Sequence, residues 1–279
     1  MSMPSRRALV AGAAGLAAAS LLPKAASASD GGRTLDVDTA RLWFAEVGSG
    51  DAALVLHGGL GHSGWMKTIV DALAPRYRVI TLDTRGMGRS SLGTQPLSYE
   101  RQAQDARALL QTLGVSQFHL VGFSDGGIVG MRMAAVANSG LRRLVAIGSR
   151  WSAENGRSMW TAFAGWNARS LSEGQFKFIV DDYNAMNPDR DFDRMMRQAV
   201  GMWKDDGPNG HPNAAIERIT QPTLIMVGDR DPFLSAADAA TARARIQNSE
   251  LMVVPGGTHP IHNERPDLVL PAITRFLAA

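Results

Sequence analysis

One stretch restricts this chain more than any other: His119-Leu120-Val121-Gly122-Phe123-Ser124-Asp125-Gly126-Gly127-Ile128. An apolar run ends on a serine, and a glycine-rich segment with helical spacing follows. The pattern Gly122-x-Ser124-x-Gly126 has a steric logic. A serine at the tip of a tight strand-to-helix turn sits in a strained backbone conformation, and side chains two residues to either side would collide with the adjoining strand and helix. The turn lifts the hydroxyl into the open. It also points a helix N-terminus at the hydroxyl, where negative charge is favoured. The pattern alone is only moderately specific, so the rest of the chain must agree with it.

The chain has 279 residues, enough for one large α/β domain or two small ones. It has no cysteine, which excludes disulfides, thiolate metal sites, a cysteine nucleophile and a lipid-modified N-terminal cysteine. Arg6-Arg7 precedes an uncharged apolar run from Ala8 to Leu22, then Pro23-Lys24 and the small-x-small site Ala26-Ser27-Ala28. These are the parts of a secretory signal, and the arginine pair resembles a twin-arginine export signal. Residues 1–28 therefore read as a cleaved export segment, with a periplasmic or secreted mature protein. The apolar run falls short of the roughly 20 residues a spanning helix needs; an uncleaved anchor is the competing reading. This segment also explains the basic balance. The chain carries 29 basic and 26 acidic residues, a formal charge of +3, and three of the basic residues are Arg6, Arg7 and Lys24. Without them the charge is zero, so the basicity does not argue for a nucleic-acid partner.

Taken in order, Thr34–Val37 and Arg41–Val47 read as a leading hairpin. Ala52–Leu56 is a compact apolar run that stops at His57-Gly58-Gly59, as a buried parallel strand would. A helix is expected from Trp65 to Leu73, a strand at Tyr77–Asp83 and a loop at Arg85–Ser90. Tyr99–Leu113 has helical spacing, with Ala103, Ala106, Leu109, Leu110 and Leu113 on one face. The strand Phe118–Phe123, a helix over Gly127–Ala137 and the strand Leu141–Ile147 follow. The rhythm then breaks. Residues 150–213 hold Trp151, Trp160, Trp166 and Trp203 and helical patches at Gly174–Tyr183 and Phe192–Met202, and read as an inserted helical cap. Strand Pro222–Val227, helix Ala236–Ile246, strand Glu250–Val254 and helix Asp267–Leu277 complete the series, with Pro271 expected to kink or delay the last helix. Alternating strands and helices imply an α/β fold: a mostly parallel, doubly wound sheet. Its core comprises residues 29–149 and 214–279.

The ordered motifs make a resemblance. They are His57-Gly58-Gly59, Asp83-x-Arg85-Gly86-x-Gly88-x-Ser90, Gly122-x-Ser124-x-Gly126, Gly228-Asp229-Arg230-Asp231-Pro232 and Gly256-Gly257-Thr258-His259. Together they resemble the α/β-hydrolase family from about residue 33 to the C-terminus, within it the amino-acid-ester and prodrug hydrolases and haloperoxidase-like esterases. The resemblance implies Ser124 as nucleophile, His259 as its base and Asp231 as the acid that orients the imidazole. Asp229 competes for the acid and His262 for the base; His262 is otherwise expected at the pocket rim or surface. The oxyanion would take the backbone N–H of Asp125 and that of Gly59 or Leu60. No cofactor or metal is implied. Gly86–Ser91 lacks the third glycine of a dinucleotide fingerprint, and no His-Glu-x-x-His cluster occurs.

Other residues carry paired readings. His57 reads as a structural histidine that bonds loop backbone; His62, His119 and His211 have no partner spacing. Asp125 is either an acid suited to a helix N-terminus or a pocket carboxylate for a cationic substrate group. Trp160, Trp166 and Trp203, with Phe163, Phe176 and Phe178, either line a pocket or pack the cap onto the sheet. Leu60 and Trp65, around the oxyanion loop, are further candidates for substrate contact. The resulting expectation is an exported serine esterase or lactonase of small molecules, without stable membrane insertion once the signal is removed. Perhydrolysis or carbon–carbon cleavage by the same triad is the alternative, and a catalytically silent binding protein is a third.

Overall fold

The computed structural model describes residues 31–279; the export signal expected at residues 1–28 lies outside the described residues. An eight-stranded sheet has the order β1-β2-β4-β3-β5-β6-β7-β8. In chain order these are Arg33–Val37, Ala40–Val47, Asp51–Leu56, Tyr77–Leu82, Phe118–Phe123, Leu141–Ile147, Thr223–Gly228 and Ser249–Val254. β2 runs antiparallel to β1 and β4, and every other pairing is parallel.

The central strands are buried on both faces, and alternate side chains serve different cores. Leu54, Leu56, Leu120, Leu144 and Ala146 join one cluster; Ala53, Val55, Val121, Val145 and Ile147 join the other. The first is covered by α2 (Tyr99–Thr112), α3 (Asp125–Ala134) and α8 (Ala236–Arg245), the second by α1 (Lys67–Leu73) and α10 (Pro266–Ala278). Each helix presents an apolar stripe. In α2 it is Ala103, Ala106, Leu109 and Leu110, all buried, capped at the start by the Ser98 hydroxyl accepting from the Arg101 N–H. Between β6 and β7 lie four helices, α4 (Trp160–Ala164), α5 (Ala168–Ser172), α6 (Lys177–Met186) and α7 (Phe192–Lys204). A short α9 (Ile261–Glu264) precedes α10.

Two expectations need correction. Helix α3 begins at Asp125, two residues before the expected Gly127, because the turn itself starts the helix. It also ends at Ala134, short of Ala137. Pro271 does not delay the last helix, which starts at Pro266 and runs through Pro271 uninterrupted. Proline at the first helical position is pre-organised for that start. No helix among the described residues is long and apolar enough to cross a membrane.

Three buried histidines tie the fold to pH. Burial pushes His57 down to about 4, His262 to about 4 and His211 to about 3, from an ordinary 6.5. The unfolded chain therefore binds protons below pH 6.5 that the folded chain refuses. The contribution of these three rings to stability is expected to be complete above about 6.5 and to decline as the pH falls toward 4. Urea midpoints measured from pH 7.5 to 4.5 should fall steadily below 6.5; a flat profile would contradict neutral burial of these rings.

Candidate active site

The motif residues converge on the carboxyl edge of the parallel strands, where ligands bind in open α/β sheets. Ser124 follows β5 directly, with φ 52° and ψ −117°. An L-residue pays conformational strain there, and the surrounding glycines explain why it persists. A Cβ on Gly126 would strike the carbonyls of Leu56 and His57, and one on Gly122 would strike the backbone of Gly126 and Gly127. The Ser124 N–H donates to the Ile147 carbonyl at 2.7 Å, pinning the turn to β6. Asp125 then opens α3, where the first N–H groups have no intrahelical acceptor.

His259 Nδ1 lies 2.8 Å from Asp231 Oδ2. The Asp231 side chain is fully buried, and its other oxygen accepts from the N–H groups of Phe233, at 2.8 Å, and Leu234. The rings of Phe123 and Phe233 pack on His259 at 4.8 and 4.7 Å. Gly148, just after β6, has φ 60°; a Cβ there would sit 3.0 Å from the His259 ring and 3.2 Å from Asp231. The rival Asp229 is exposed, its N–H engaged by the Val254 carbonyl. The rival His262 is not at the rim: it is fully buried against Phe123 at 4.7 Å, because the α9 turn carries it inward.

The loop after β3 closes over the serine. A Cβ on Gly58 would lie 3.1 Å from that of Ser124, and one on Gly59 would touch the Asp125 carboxylate and Trp203. Leu60 has φ 62°, another left-handed residue beside the elbow. His57 anchors this loop. Its Nδ1 meets the Gly58 carbonyl at 2.7 Å and its Nε2 accepts from the Thr84 N–H at 2.9 Å, which fixes the tautomer. Asp83 binds the same loop by accepting from the Ser63 N–H, and the next loop by accepting from the Arg89 N–H and Nε.

Asp125 holds the contacts that sequence reasoning missed. Its Oδ1 accepts from the Tyr99 hydroxyl and its Oδ2 from the Trp203 indole N–H, each at 2.8 Å. The residue after the serine is thus tied to α2 and to α7. Burial pushes its carboxyl up, and the two donors oppose that shift. A signal existed, since a buried indole N–H needs an acceptor, but nothing local said that Trp203 would find Asp125. Of the other aromatics, Trp65 donates to Asp182 at 3.2 Å and packs on Phe178. Asp182 also pairs with His62 at 3.3 Å. Trp166 sits against Phe163, Phe176 and Trp203, and Trp160 lies under Arg157.

A cavity of about 580 Å³ lies between Glu100, Arg132, Asp206 and His211, and Ser124, Asp231 and His259 are not in its lining. Arg132 there is spent on Glu100 and on the Pro208 and Gly210 carbonyls, which reads as a structural staple. No cluster of three metal-ligating side chains occurs among the described residues.

Known proteins resemble this chain over most of its length. The "Putative non-heme chloroperoxidase" of Synechocystis sp. is 28% identical, over 86% of this chain and 95% of its own length. The 3-oxoadipate enol-lactonase 1 of Acinetobacter baylyi is 25% identical over 81% and 88%. Among solved structures, the enol-lactonase of Burkholderia xenovorans superposes with a TM-score of 0.73 at 19% identity, over 88% of this chain and all of that one. Residues 53–272 match the Alpha/beta hydrolase family, and the chain belongs to it.

Proposed function

We propose that the protein is a serine hydrolase of small carboxylic esters or lactones, acting through an acyl-enzyme on Ser124. The contact between His259 Nδ1 and Asp231, with the His259 ring packed on Phe123, the residue just before a strained, glycine-walled serine, carries the proposal. In this mechanism Ser124 Oγ attacks the carbonyl carbon as His259 Nε2 takes its proton, and Asp231 stabilises the imidazolium. The N–H groups of Asp125 and Gly59 receive the oxyanion. His259 then protonates the leaving alkoxide, and water, deprotonated by the same ring, releases the acid. Leu60 and Trp65, on the loop after β3, and Trp166, packed on the Trp203 that bonds Asp125, are the side chains proposed to meet the substrate, while Trp160 lies under Arg157. The names of the relatives support this class: an enol-lactonase, and a pimeloyl-[acyl-carrier protein] methyl ester esterase of Xanthomonas campestris that is 26% identical over 84% of this chain. The chloroperoxidase name supports a second outcome, in which hydrogen peroxide replaces water and releases a peracid.

A fluorophosphonate probe should label the wild type and not Ser124→Ala, and the wild type should turn over p-nitrophenyl acetate or butyrate. An unlabelled wild type would overturn the proposal. Added peroxide measures the second outcome, by partition between acid and peracid. Export through residues 1–28 belongs to the same reading; cytosolic, uncleaved protein whose location is unchanged by Arg6→Lys/Arg7→Lys would refute it.

A further inference from the structure

Among the described residues, five of those buried are acids or arginines: Asp83, Arg85, Asp105, Asp125 and Arg150. Four of them are accounted for. Arg85 and Asp105 form a two-pronged ion pair. Asp83 is paired with Arg89. Asp125 has a donor on each oxygen. Arg150 is the remainder. It is 7% exposed and, unlike Arg85, forms no ion pair among the described residues; its Nη1, like that of Arg85, is buried with no hydrogen-bond partner there. A buried cation left this way is costly and calls for an explanation.

Its position supplies one. Arg150 follows Gly148 by two residues, at most about 7 Å of chain, and Gly148 lies against His259 and Asp231. The guanidinium carbon is 5.8 Å from the centre of the Phe163 ring. Phe163 stacks near Phe233, which packs on His259. The Tyr99 hydroxyl faces the same guanidinium. The cation therefore stands near the aromatic wall that adjoins His259, packed against Gly156, with its Nη1 unpaired.

We infer that Arg150 is an anion-reading subsite and that the substrate is an ester or lactone bearing a carboxylate remote from the scissile bond. This rests on the hydrolase reading and narrows its substrate class. A guanidinium fork matches a planar carboxylate in shape and charge. A phosphate dianion fits less well. The site offers one positive charge, His211 beside it is neutral because burial and the guanidinium both suppress its protonation, and Asp125 already adds a negative charge nearby. The same guanidinium disfavours a cationic substrate, against the amine-reading alternative for Asp125.

The test compares mono-p-nitrophenyl glutarate with p-nitrophenyl hexanoate. The wild type should favour the anionic ester. The ratio of the two kcat/KM values should collapse by about 10- to 100-fold in Arg150→Met, recover in part in Arg150→Lys, and rise in Asp125→Asn. A ratio unchanged in Arg150→Met, with Arg150→Lys folded and behaving likewise, would overturn the subsite. A second measurement needs no turnover. Glutarate should raise the Tm of Ser124→Ala and not that of Ser124→Ala/Arg150→Met; inorganic phosphate stabilising as strongly as glutarate would refute the carboxylate assignment. Arg150-dependent glutarate binding without hydrolysis of either ester would remove the hydrolase reading and leave the subsite standing. Hydrolysis of both esters regardless of Arg150 would do the reverse.

Discussion

Ser124→Ala is expected to lower kcat on any accepted ester by about 10⁴- to 10⁶-fold while leaving the Tm within about 2 °C of wild type. The separation of the two effects is the informative part. Ser124 makes no side-chain contact that the fold requires: its N–H, not its hydroxyl, holds β6, and the turn is walled by glycines that alanine does not disturb. The strain at φ 52° remains with alanine, so no stabilisation compensates for the lost nucleophile. His259→Ala should cost nearly as much, and Ser124→Ala/His259→Ala no more than either alone, because the pair acts as one unit. Asp231→Asn should be the milder lesion, about 10⁴-fold, since an amide still receives the Phe233 and Leu234 N–H groups but presents the wrong partner to Nδ1. Steady-state kinetics alongside thermal unfolding would check all four variants. Additive losses in the double variant, or a Ser124→Ala enzyme above about 1% of wild-type kcat, would mean that chemistry proceeds elsewhere.

What the sequence made legible follows from locality. The β5–Ser124–α3 turn is specified by residues within four positions of one another, and each glycine there has a steric cause visible in the pattern. The parallel strands were legible because burial on both faces writes a continuous apolar run. The start of α3 was misplaced because glycines at 126 and 127 carry poor helix propensity, which the tertiary packing of α3 on β5 and β6 overrides. Helices α4 and α5, of five residues each, are too short to show a period. Long-range contacts left no trace. Tyr99 and Trp203 reach Asp125 from 26 and 78 residues away, and the inward turn of His262 depends on where α9 packs. The unpaired Arg150 emerges only once every other buried charge has been matched to its partner.

Asp105→Ala is expected to cost about 3–5 kcal/mol of stability, a fall in Tm on the order of 10 °C for a chain of this size. Arg85 is fully buried and Asp105 1% exposed, joined by bonds of 2.8 Å from Nε and 2.6 Å from Nη2. Removing the acid strands a guanidinium that has no route to water. Yet the pair is not a net asset by itself. Burial raises the Asp105 carboxyl despite the guanidinium beside it, so desolvation outweighs the attraction. Arg85→Met/Asp105→Leu should therefore recover most of the lost Tm, since an apolar pair of similar volume incurs no such desolvation. What the ion pair adds is placement. It ties α2 to the loop in which Asp83 holds both the segment after β3 and Arg89, and α2 in turn carries the Tyr99 hydroxyl to Asp125. The double variant should accordingly melt near wild type while losing more kcat/KM than Tm. A double variant as unstable as Asp105→Ala would locate the cost in packing volume, and one fully active would separate this pair from the positioning of the site.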